Sequence, residues 1–146
     1  MPRTNYWAVI VAALAAFVAS SAWYIAFGNQ LAQLSPAFAG HLKEGPTWRQ
    51  PVVILQGLVL AFVLARLIRM AGVTGWMRAA QLAAWAWVGL VAIQWTSAMM
   101  WEDTPWQLAA IHAGDWFMKL LIIAVILGTW PHRGSRSASV PPASSP

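Results

Sequence analysis

Residues 106–130, WQLAAIHAGDWFMKLLIIAVILGTW, are long and apolar enough to cross a bilayer, yet they carry His112, Asp115 and Lys119. A membrane span needs about 20 mostly apolar residues at about 1.5 Å of rise each. Asp and Lys near the centre of such a helix together cost roughly 5 to 7 kcal/mol, and the Leu, Ile, Val and Phe residues of the same segment return only roughly 3 to 6 kcal/mol. A helix in that balance cannot face lipid all round. At 100° per residue the three ionisable groups fall within about 60° of one another, forming one stripe. That stripe is expected to face protein, with Asp115 and Lys119 paired at i, i+4 in the acid-first order that suits a helix.

Protein for the stripe to face is available in the same chain. The 146 residues are 60% hydrophobic and 9% charged, with a mean hydropathy of +0.58, against about a quarter charged in a soluble domain. Three further segments reach span length: 6–27, 51–71 and 79–101. The pattern predicts an all-α, integral membrane, four-transmembrane-helix bundle occupying residues 1–130, with an outer loop at 28–50 and a disordered Ser/Pro-rich tail at 131–146. In the loop, Leu31, Leu34, Phe38 and Leu42 recur at roughly helical spacing, as in a helix lying on the surface. Ahead of the last span, Thr104, Pro105 and Gln107 read as an N-cap, a first helical residue and a capping-box partner.

Tryptophans mark the water boundaries, Trp7, Trp76 and Trp130 at one side and Trp23, Trp48, Trp101 and Trp106 at the other. Trp85, Trp87, Trp95 and Trp116 lie deeper and read as packing or lipid-facing rings. Arg3, Arg66, Arg69, Arg78, Arg133 and Arg136 fall on one side against Lys43 and Arg49 on the other, which places both termini in the cytoplasm. Arg66 snorkels from near the inner end of its span. The formal charge of +5 is spread singly among apolar runs, so there is no basic stripe for nucleic acid. The implied partners are the lipid bilayer and a further copy of the chain, for which Ala12, Ala16 and Ser20 supply a small-residue ridge.

Counted from their outer ends, Ser20 and Ser21, Gln56, and Gln94 lie at about 6 to 11 Å, close to the depth of His112. This predicts one intramembrane polar layer of His112, Asp115, Lys119, Gln94, Gln56, Ser20 and Ser21. Two functions follow from it. In one, the layer fastens helices or protomers in a structural or interaction module. In the other, it carries a proton or small solute as part of a carrier or channel. No metal site is expected, because His112 and Asp115 are too few ligands and the chain has no cysteine. No cofactor and no enzyme activity are expected either, since no nucleophile, base and orienter stand at a common spacing.

The segments NYWAVIVAALAAFVASSAWYIAFG and AAIHAGDWFMKLLIIAVILGTW resemble a family of small bacterial membrane proteins, domain of unknown function 1761. In that family an Asn opens the first helix, a Trp-Tyr pair closes it ahead of Phe-Gly, and the last helix carries Ala-Gly and a terminal Gly. Asn5, Trp23, Tyr24, Phe27, Gly28, Ala113, Gly114 and Gly128 hold the matching places. Where Tyr and His commonly follow the Ala-Gly, this chain carries Asp115 and Trp116. The resemblance implies four helices in the bacterial inner (cytoplasmic) membrane and brings no assigned activity.

Overall fold

The computed structural model describes residues 5–35 and 48–130. Four helices fill them: α1 (Tyr6–Leu34), α2 (Arg49–Met70), α3 (Trp76–Trp101) and α4 (Trp106–Thr129), each long and apolar enough to cross a membrane. They run alternately up and down, so residues 5 and 130 lie at the same end. Asn5 starts α1 by accepting a 3.2 Å hydrogen bond from the Trp7 backbone N–H, which satisfies one of the donors a helix start leaves over. Gly72 and Gly75, at φ 62° and 85°, make the tight turn from α2 to α3 in backbone regions that side chains disfavour.

Two boundaries differ from the sequence reading. Residues 28–34, assigned to the outer loop, continue α1, because the next proline is Pro36 and Leu31 is fully buried. Leu31 and Leu34 therefore belong to α1, while Phe38 and Leu42 and the proposed tail 131–146 lie outside the described residues. At 29 residues, α1 is about 43 Å long and outreaches a 30 Å hydrocarbon layer, so it tilts or projects. Pro105 takes the N-cap place of α4 and no side chain caps there. Thr104 instead donates its backbone N–H to the Ala98 carbonyl, 3.4 Å away.

α4 is the central helix. It packs against α1 on one side and α3 on the other, while α2 leans on α1 and touches α3 little. The core is rich in alanine: Ala8, Ala12, Ala13, Ala16, Ala61, Ala65, Ala79, Ala83 and Ala124 interlock with Leu64, Ile68, Leu120 and Ile123. Small side chains bring backbones close, which is how helices pack where water supplies no driving force between them. Ala12, Ala16 and Ser20 are buried within this core, so their ridge is an internal contact and no outer surface for another copy. At the end of the bundle that carries residues 5 and 130 the approach of α3 and α4 is closer still. A Cβ on Gly128 would stand 2.8 Å from the Trp76 Cα and 2.9 Å from the Ala79 Cβ.

The middle of α3 is not a regular α-helix. Trp87–Ala92 forms a π-helical segment, whose i→i+5 turns underwind the backbone. In a regular α-helix Trp87 and Trp95 would point about 80° apart. Underwinding swings them toward a common face, and both meet α4.

Candidate functional site

Asp115 is fully buried at the interface of α4 with α1. The Ser20 hydroxyl of α1 donates to its Oδ1 at 2.7 Å. Its Oδ2 lies 2.6 Å from Lys119 Nζ, one turn along α4, and accepts no aligned hydrogen bond. The expected i, i+4 pair therefore forms and faces protein. Lys119 keeps 21% of its side-chain surface open and rests its ammonium 5.4 Å from the centre of the Trp116 ring. A cation over an aromatic face gains further electrostatic support.

One turn toward the start of α4, His112 Nδ1 is 2.8 Å from the Tyr24 hydroxyl. The imidazole stacks on Trp95 of α3, with centroids 5.1 Å apart and planes 7° from parallel. The Tyr24–His112 contact therefore stands one helical turn from the Ser20–Asp115 contact on the same pair of helices. Two indoles then bind the α4 backbone. Trp23 donates Nε1–H to the Ile111 carbonyl at 3.1 Å and Trp87 donates to the Ala113 carbonyl at 2.8 Å. The aromatic shell is completed by Phe27 against Trp23 and Phe117 against Trp87.

Gly114 lies at the centre of this arrangement. A Cβ there would come within 2.8 Å of the Trp23 ring, so only glycine lets that indole lie flat on α4 and reach the Ile111 carbonyl. Ser20, Trp23 and Tyr24 recur at i, i+3 and i+4 on α1 and meet Ile111, His112 and Asp115 on α4. The two helices are joined along a single matched stripe.

Of the residues in the predicted polar layer, Ser20, His112, Asp115 and Lys119 come together and the others do not. Ser21 turns its hydroxyl to its own helix, donating to the Phe17 carbonyl at 2.8 Å. Gln56 and Gln94 are exposed on α2 and α3. Gln94 lies at the level of His112, on which its neighbour Trp95 stacks, but is rotated about 100° away from it. Gln56 misses in depth as well as rotation, because its neighbour Gly57 packs against the Ala13 carbonyl, seven residues or about 10 Å along α1 from Ser20. Trp23, Tyr24, Trp87 and Trp95 were missed. The sequence reading places Trp23 in the boundary belt and takes Trp87 and Trp95 as packing or lipid-facing rings, and only the Trp-Tyr pair of the resemblance points at α1. Among the described residues no group of three or more potential metal-binding side chains gathers.

An alternating bundle of four apolar helices around a buried ion pair defines a multi-pass membrane protein. The chain matches the family described as protein of unknown function DUF1761 over residues 7–128, and it belongs to that family. Neither a curated protein nor a solved structure matches it.

Proposed function

We propose that this chain is a non-enzymatic structural or interaction module of the bacterial inner (cytoplasmic) membrane, with both termini cytoplasmic. Its polar layer serves to fasten α1 to α4. The observation that carries this reading is the 2.7 Å hydrogen bond from Ser20 to the fully buried Asp115. The acid is used between helices, with Lys119 as its counter-ion. Interhelical polar contacts in membranes average about 0.6 kcal/mol each, so the set from Ser20 to Trp87 is worth a few kcal/mol in total. Assembly with further copies fits such a module.

Replacing Asp115 with Asn tests the reading. The variant is expected to insert, to melt at a lower temperature or change its oligomer size, and to show no flux to lose in liposomes. A second reading, a carrier component moving a proton or small solute through His112, Asp115 and Lys119, draws support from the part of Lys119 left open. It predicts a pH-dependent flux that Asp115→Asn abolishes while the melting temperature stays unchanged.

A further inference from the structure

α3 is the least covered of the four spans. In its most apolar stretch 11% of the residues are buried, against 33% in α1 and in α4. Toward Trp101 it carries three polar side chains, Gln94, Thr96 and Ser97, all exposed. Thr96 satisfies itself by donating to the Ala92 carbonyl of its own helix at 2.8 Å. Gln94 and Ser97 make no hydrogen bond among the described residues. Gln94 borders a cleft between α2, α3 and α4 whose other lining residues are Leu, Val, Ala and Trp, and none of these offers a side-chain acceptor. It stands about 10 Å along the helix from Trp101, at a depth where a phospholipid presents methylenes. A carboxamide left there without a partner is costly.

The spacing around Gln94 is that of a helix–helix seam. Leu90, Gln94, Ser97 and Trp101 recur at four, three and four residues, the alternation by which two helices interlock side chains. All four are exposed, Leu90 by 73% and Trp101 by 82%. A second copy of the chain answers the amide by symmetry. Copies inserted by the same rule share one orientation, so a two-fold axis along the bilayer normal sets the two α3 helices parallel and brings equal residues to equal depth. A carboxamide both donates and accepts, so two of them facing across that axis satisfy each other. A single polar residue within such a seam also fixes its register. We propose that this chain pairs with a second copy of itself through Leu90, Gln94, Ser97 and Trp101, the two Gln94 carboxamides being hydrogen-bonded across the two-fold axis. The surface lies on α3, apart from the Ser20–Asp115 contact, and its use does not depend on the fastening role.

The chain has no cysteine, so single cysteines test the pairing in liposomes. Förster transfer between copies labelled at Thr74→Cys should fall along a monomer–dimer curve as lipid is added. Gln94→Leu makes a lipid-facing position more apolar and keeps the bundle folded. It should weaken the dimer about fivefold or more, the loss typical of a hydrogen bond between membrane helices, while Gln94→Asn, which retains a carboxamide, weakens it less. Under iodine oxidation Leu90→Cys should form a disulfide-linked dimer and Val18→Cys, 65% exposed on α1, should not. Three outcomes overturn the proposal: transfer at the level of random encounter at every dilution, a curve that Gln94→Leu leaves in place, and cross-linking of Val18→Cys as readily as of Leu90→Cys. The first would assign the α3 face to lipid, and the other two would assign the pairing to a different surface.

Discussion

Asp115 shows how one residue constrains a fold. A carboxylate in hydrocarbon demands a counter-charge and donors, and it obtains Lys119 from its own helix and Ser20 from α1. Removing one member of a buried pair leaves the other uncompensated, which costs about 3 kcal/mol. Lys119→Met alone should therefore destabilise by about that amount, and Asp115→Asn with Lys119→Met should recover most of it, as measured by thermal denaturation in detergent. Gly114→Ala should cost about 1 to 3 kcal/mol, because the new methyl displaces Trp23 from the Ile111 carbonyl. Quenching of the indole environment would report the displacement. The stripe of His112, Asp115 and Lys119 was legible because its cost is paid by residue type and spacing alone. Trp23 and Tyr24 were not, since aromatic residues near a span's end carry the same signature whether they anchor in headgroups or turn inward.

At the scale of elements, helix existence was legible throughout and rotation was not. Hydropathy over about 20 residues finds a span, but the face that packs depends on neighbours. Gln94 shows this, level with His112 and on the wrong face. The π segment of α3 compounds the difficulty, since counting at 100° per residue fails across it and hides Trp87 and Trp95 from the stripe they join. Gly28 reads as a break but sits inside α1 with open space around its Cα, so Gly28→Ala should be neutral or stabilising by up to about 1 kcal/mol. Gly128→Ala should do the opposite. Its methyl would meet the Trp76 backbone, and the expected cost is about 2 kcal/mol or more, with a lowered melting temperature.

Across the whole molecule, the alternation of four helices puts the Gly72–Gly75 turn and Glu102 at opposite ends of the bundle. The chain has no cysteine, so single cysteines report topology without interference. In intact cells a membrane-impermeant maleimide should label Glu102→Cys and leave Thr74→Cys unlabelled until the membrane is opened. Labelling of both from outside would contradict the threading. Most depends on α1 being tied to α4 through the buried acid, and a double-mutant cycle of Ser20→Ala and Asp115→Ala tests that tie directly. If the two residues interact, unfolding free energies in lipid or detergent will show a coupling of about 0.5 kcal/mol or more, the double variant losing less than the sum of the singles. Strict additivity would place Ser20 and Asp115 apart and contradict the fold described here.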